Sequence, residues 1–150
     1  MGRVLAEFFF GIIDMENIIT AVLVPESQRM DVADEHFGIR FPLTVEPMIY
    51  QFATQLASAY SGGYWHFYSL SNGGFFMSPD MADTIEVIAD NGYQGTMTAE
   101  ALGITACLYA FSNLSFTKGT FGEKCADRYH QLYEFAMQHP EVAAIRAAID

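Results

Sequence analysis

The clearest pattern in the chain is an apolar stripe that begins at Val45 and repeats every three or four residues. That spacing places side chains on one face of a helix, and the stripe continues through Met48, Ile49, Phe52, Leu56 and Tyr60. Thr44 is predicted to cap this helix, and Ser61-Gly62-Gly63 is predicted to end it. A shorter helix is predicted over 27–37, with Ser27 as its cap and a glycine directly after it.

Three more helices are predicted in the last third of the chain. Thr98 is expected to cap a helix over 99–114 that is apolar nearly all round, as in a buried central helix. Thr120 and Glu123 have the spacing of a capping box at the start of the next helix. A proline in its first turn is expected to open a final short helix over 140–149.

Strands are indicated where β-branched and aromatic residues alternate or cluster. The predicted strands cover 18–24, 64–70, 75–78, 84–89 and 93–97. Asn72-Gly73 and Asn91-Gly92 are hairpin signals in which both turn positions are expected to have positive φ. The sequence therefore predicts an α+β fold, a single compact domain in which an antiparallel β meander packs against several helices.

The net charge of the chain disfavours several classes of function. The chain has 18 acidic and 7 basic residues, a net charge of -11, and no basic residue lies between Arg40 and Lys118. The acidity arises from missing cations rather than from added carboxylates, which argues against a DNA mimic built to copy phosphate spacing. It also disfavours direct nucleic-acid binding. A basic protein surface would be attracted to the acidic stretch, although a solubilising acidic face explains the same charge.

The first residues and the cysteines bear on location. Residues 1–14 are apolar but interrupted by Glu7 and are too short to span a membrane. We expect them to form a peripheral or poorly ordered extension of a domain over 15–150. Cys107 and Cys125 are predicted to be buried, reduced thiols of a cytoplasmic protein, although a disulfide between their helices is also possible.

No pattern of catalytic residues stands out. His36 follows Asp34 and Glu35, but adjacent residues of a helix point in different directions and do not converge on one ion. Cys125 and His130 are five residues apart on one predicted helix, which does not aim the imidazole at the thiol. Nucleophile-elbow and phosphate-loop patterns are missing. We therefore predict no enzyme activity, no catalytic or metal-binding residue and no cofactor.

Several segments resemble a known family. "VPESQRM", "HFG" and "GGYWHFYSLSNGGFFMSPDMA", with the C-terminal "DRYHQLYEFAMQHPEVAAIRAAID", are similar to the ArdB/KlcA antirestriction family over roughly residues 22–150. The resemblance implies a compact α/β protein of plasmids and other mobile elements. Such proteins block cleavage by type I restriction enzymes and leave modification largely unaffected, without established enzymatic activity or cofactor. No inhibitory residue carries over from the family.

We expect inhibition by protein–protein contact with the type I restriction complex or an associated host protein, with no direct nucleic-acid or membrane partner. The aromatic hairpin is the candidate surface, since Tyr and Trp are enriched at interface hot spots. Core packing also accounts for these aromatics, and strand alternation allows one face to point inward and the other outward. The candidate contact residues are Tyr64, Trp65, Tyr68, Asn72, Asp80 and Asp83. A simple turn role also accounts for Asn72. Two alternatives stay open, an acidic DNA mimic that blocks cleavage and methylation together, and a small hydrolase or nuclease.

Overall fold

The computed structural model describes residues 17–150, so the expectations for residues 1–14 and for a domain boundary at 15 lie outside the described residues. Helices α1 to α5 cover Arg29–Phe37, Glu46–Leu56, Ala99–Leu114, Thr120–Met137 and Val142–Ile149. Strands β1 to β5 cover Ala21–Leu23, Trp65–Leu70, Phe75–Pro79, Ile85–Ile88 and Gln94–Met97. A 3-10 turn, Glu26–Gln28, precedes α1, and a π-helical turn, Phe41–Val45, precedes α2. The predicted α+β class is confirmed.

The strands form two antiparallel sheets rather than one continuous meander. One sheet has the order β1-β2-β3, and the other pairs β4 with β5. Helix α3 lies against the Met77 carbonyl oxygen of β3, which accepts a hydrogen bond from Cys107 Sγ at 3.7 Å. A Cβ at Gly103 would collide with that oxygen and lie 2.6 Å from Ser78 Cα. The helix thus occupies the edge of β3 that a further strand would need.

Helix α3 is the centre of the core. Its side chains are buried nearly all round, as predicted, and it packs against both sheets, α2, α4 and α5. The Thr98 side chain accepts a hydrogen bond from Ala101 N at 3.2 Å, which confirms the predicted cap. Both cysteines are free, buried thiols, as predicted.

Several helix starts and ends differ from the prediction. Thr44 lies inside the π-helical turn and caps nothing, and Ser27 lies inside the 3-10 turn. Helix α2 ends at Leu56, because the backbone becomes extended at Ala57. The predicted capping box is wrong, since Thr120 is already the first helical residue and no side chain caps that end.

Helix α5 begins at Val142, two residues after Pro140. The first strand is also shorter than predicted, over 21–23 instead of 18–24.

The two hairpin turns have the predicted positions but a different geometry. Gly73 and Gly92 have positive φ, whereas Asn72 and Asn91 do not. Gly73 N donates to Leu70 O at 3.0 Å, and Leu70 N donates to Gly74 O at 2.9 Å. This pattern is a three-residue loop in which one glycine takes the left-handed position.

Candidate functional site

The open end of the β2–β3 hairpin, formed by Tyr64, His66 and Asp80, brings three polar or aromatic side chains together. The Tyr64 ring meets the His66 ring edge-on, with 5.2 Å between centroids. His66 Nε2 lies 3.6 Å from Asp80 Oδ1, and the Asp80 side chain is 67% exposed. Asp80 N donates to Tyr64 O at 2.8 Å, which closes this end of the hairpin. The predicted pair Tyr64 and Asp80 is therefore adjacent in space.

Arg29, which sequence reasoning did not single out, holds this end of the hairpin against α1. Its Nη1 donates to Trp65 O at 2.6 Å. The guanidinium lies 3.9 Å from the Phe67 ring centroid and 4.7 Å from that of Tyr64. Such cation–π contacts orient the ring as well as the cation. No local sequence signal points to Arg29, because the aromatic run begins thirty-five residues later and Arg40 lies between.

Trp65 does not lie on the surface, so it is removed from the candidate contact residues. The side chain is 1% exposed, and its Nε1 donates to Tyr60 Oη at 3.0 Å. The ring packs beside Tyr50 and Tyr60, at centroid distances of 5.3 and 5.5 Å. Strand alternation turns positions 65 and 67 inward and positions 66 and 68 to the other face. Trp65 therefore supports the hairpin from inside.

The remaining candidates are spread along the hairpin and beyond it. Tyr68 is half-buried on the His66 face and stacks on Phe76 at 4.7 Å. Asn72 lies in the turn at the far end, where Nδ2 donates to Gln131 O of α4 at 2.9 Å. Asp83 Oδ1 accepts from Ala99 N at 3.1 Å, at the positive end of α3. The six predicted residues do not form one cluster.

The titratable groups give no free nucleophile with an adjacent base in the part of the chain that the structure describes. Burial raises the pKa of the Cys107 thiol to about 12 and that of Cys125 to about 11, so both thiols stay protonated near neutral pH. His139 Nε2 is 2.6 Å from Glu100 Oε2, and its Nδ1 accepts from Glu141 N at 3.0 Å. Both ring nitrogens are thus occupied, and this pair links α3 to the start of α5.

Within residues 17–150, no group of three or more His, Cys, Asp or Glu side chains is arranged to hold a metal ion. None of the helices described there combines the length and apolar character needed to cross a membrane.

Comparison with known proteins identifies the family. The family model for antirestriction proteins matches residues 58–150. Antirestriction protein KlcA of Escherichia coli is 44% identical over 135 residues, which covers 88% of this chain and 95% of the relative. A second KlcA of Escherichia coli is 41% identical over 138 residues, 88% of this chain and 94% of the relative. The chain belongs to the antirestriction protein family, and the resemblance stated above is confirmed.

A solved structure extends the likeness to the fold. It comes from a study reporting that the KlcA and ArdB proteins show a novel fold and antirestriction activity against type I DNA restriction systems in vivo but not in vitro. That chain matches with a TM-score of 0.82 and 42% sequence identity, covering 88% of this chain and 95% of the solved one.

Proposed function

We propose that this chain suppresses cleavage of incoming unmodified DNA by type I restriction enzymes, through a protein–protein contact and without catalysis. Methylation by the same enzymes is left largely unaffected. Family membership supports the activity. The open end of the hairpin is the proposed contact surface. It is supported by the exposure of two neighbouring side chains, since Tyr64 is 47% exposed and lies beside the exposed Asp80 carboxylate.

The partner we propose is the type I restriction complex or a host protein associated with it in the cytoplasm. The KlcA and ArdB proteins act in vivo but not in vitro, which favours a partner or condition that is present in the cell and missing from purified components. Such a protein would serve a plasmid or another mobile element that enters a restricting host.

The test is a plating assay. Unmodified phage is plated on cells with a type I system, with and without the gene, and methylation of the same target sites is scored in parallel. Restored plating with intact methylation is the expected result. Unchanged restriction contradicts the proposal, and loss of methylation together with cleavage favours a DNA mimic instead.

The contact surface is tested by Tyr64→Ala and Asp80→Ala in the same assay, with Glu86→Ala as the matched control on an exposed position of β4. Loss of one interface hot spot costs roughly 2 kcal/mol, so protection is expected to fall by about tenfold or more. The control retains full protection. Full protection by both hairpin variants, in folded protein, removes this surface from the proposal.

A further inference from the structure

A groove lies between α1 and the π-helical turn, beside Arg29. Its volume is about 480 Å³, comparable to the roughly 300–1,000 Å³ of pockets that bind small molecules. The floor is apolar and buried, formed by Ala33, Phe41 and Phe67. Because Arg29 lines the groove and also contacts Tyr64, the groove is continuous with the open end of the hairpin.

Large apolar side chains on the rim of the groove are turned to solvent. Met30 and Ile39 line the groove and are 86% and 71% exposed. Leu43, which follows the lining residue Pro42 in the chain, is 70% exposed. Gly38, with φ 62, ends α1 and directs the chain so that Ile39 leaves the buried stripe. Apolar side chains gathered around a cleft mark interaction sites more often than singly exposed ones do, and methionine adapts to partner surfaces of varied shape.

Acidic side chains line the same groove. Asp31, Asp34 and Glu46 are lining residues, and within residues 17–150 none of them lies within 4.0 Å of a basic side chain. Among the described residues of the lining, Arg29 is the one base, and its guanidinium already contacts Trp65 O and the two rings. Among the described residues the lining holds three carboxylates and one guanidinium, so the groove combines an apolar floor with an excess of negative charge.

We propose that this acidic groove, lined by Arg29, Met30, Asp31, Asp34, Ile39 and Glu46, binds a short segment of a partner protein that carries apolar side chains flanked by Lys or Arg. The apolar side chains pack on Phe41 and Phe67, and the cations face Asp31 and Asp34. Apolar anchors supply affinity, and the charge pairs steer the encounter and fix its register. This inference rests on the proposed function, because the segment belongs to the protein whose capture suppresses restriction.

Other occupants fit the charges less well. A second copy of the chain would bring like charges together across the interface, which is unfavourable. Nucleic-acid phosphates are repelled for the same reason. Residues 1–16 carry one basic side chain, Arg3, against Glu7, Asp14 and Glu16, so their net charge does not complement an acidic groove.

The first experiment uses full-length variants in the plating assay. Ile39→Asp removes an apolar contact, and the double variant Asp31→Lys with Asp34→Lys reverses the charge. Phe116→Asp is the matched control, since Phe116 is 84% exposed in the α3–α4 connection. Protection is expected to fall by about tenfold or more in both groove variants and to stay unchanged in the control. Urea unfolding midpoints establish that all three chains fold.

The outcomes separate this inference from the proposed function. If the wild-type chain fails to protect, the proposed function and the groove inference are both overturned. Wild-type protection with equal protection by folded groove variants overturns the groove alone.

The second experiment identifies the occupant by photo-crosslinking in restricting cells, with p-benzoylphenylalanine at position 39 and, as control, at position 116. The inference is supported by a protein adduct that forms at position 39 but not at position 116. The crosslinked peptide should be apolar and rich in Lys or Arg, and the charge-reversed variant should lose the adduct. An adduct to residues 1–16, to a second copy of the chain or to nucleic acid overturns it, and so does the absence of an adduct at position 39.

Discussion

At the scale of single residues, the aromatic side chains of the hairpin are joined by polar contacts as well as by packing. Trp65 donates its indole N–H to Tyr60 Oη at 3.0 Å, and Tyr60 is 8% exposed. A buried hydroxyl or indole that loses its partner pays the full cost of its lost hydration. Tyr60 thus belongs to the core although α2 ends four residues before it.

Removal of either partner of this bond is expected to destabilise the fold, and the two changes should not add. Trp65→Phe and Tyr60→Phe each leave one buried polar group unpaired, at about 1–3 kcal/mol, with the smaller ring of Trp65→Phe adding a packing loss. The double variant should cost about 1 kcal/mol less than the sum. Urea unfolding of all four chains measures this coupling, and strict additivity contradicts the bond.

His36 illustrates the cost of burying a titratable group. Its ring lies between Phe37 and Phe75, at centroid distances of 6.0 and 5.3 Å. Burial, together with the positive charges of Arg128 and Lys124, lowers the pKa of His36 from 6.5 to about 4. The imidazole is therefore neutral in the folded chain at neutral pH.

This depressed pKa predicts a loss of stability in acid. Between pH 6.5 and 4 the unfolded chain binds a proton at His36 that the folded chain does not, so the free energy of unfolding falls as the pH falls. Between pH 7.5 and 5 the loss from this group is roughly 2 kcal/mol. His36→Phe should lack this contribution, seen as a shallower pH dependence of urea unfolding. Equal pH dependence in both chains contradicts the assignment.

At the scale of elements, each hairpin is fastened to a helix by the asparagine of its turn. Asn72 Nδ2 donates to Gln131 O of α4 at 2.9 Å, and Asn72 Oδ1 accepts from Gly74 N at 3.1 Å. Asn91 Nδ2 donates to Ala147 O of α5 at 2.8 Å, and Asn91 Oδ1 accepts from Tyr93 N at 3.0 Å. The turn role of an asparagine can be predicted from sequence. The helix that its amide contacts cannot be predicted, because the two residues are more than fifty positions apart in the chain.

Aspartate at these two positions separates the turn role from the docking role. Asn72→Asp and Asn91→Asp keep the oxygen acceptor but place a carboxylate oxygen against a helix carbonyl, at an expected cost of about 1–3 kcal/mol. The cost should be larger at position 72, because Glu134 Oε2 lies 3.4 Å from Asn72 Nδ2. Asn113→Asp is the control, since its amide donates to the local carbonyl of Tyr109, four residues earlier on the same helix. Thermal unfolding of all three variants gives the comparison, and equal stability contradicts the docking role.

At the scale of the whole molecule, the charge distribution decides which macromolecules can approach. The net charge is -11, and the cations Arg29 and Arg40 are engaged with aromatic rings of the protein. Few cations remain to release counterions from a nucleic acid, which is the main source of affinity for DNA. The net negative charge instead favours contact with a basic protein surface.

Purified full-length chain is therefore expected not to bind DNA. Fluorescence anisotropy with labelled double-stranded and single-stranded DNA, at about 50 mM salt, should give a Kd above about 0.1 mM. This value is the weakest affinity typical of nonspecific DNA binding. Saturable binding that weakens with added salt contradicts this expectation.

Much of the fold was predictable because its signals are local. The stripe of α2, the cap at Thr98, the buried α3 and the alternation of β4 all depend on residues a few positions apart. The helix starts near Thr44 and Thr120 were wrong, because a π-helical turn and a glycine at position 119 replaced the expected caps. The candidate site was predicted only in part. Trp65 was expected at the surface, but its exposure depends on which face of β2 the core covers, and local sequence does not tell the two faces apart.

The sequence by itself determined the fold class, the family, the acidic character and most of the elements, since each follows from short-range periodicity, composition or motif. Only the tertiary structure decided that the free edge of β3 packs against α3 instead of pairing with β4. It also decided that Trp65 lies inside and that Arg29 joins the hairpin to the acidic groove. These features arise where segments distant in sequence compete for the same space, and that competition is resolved only when the whole chain packs.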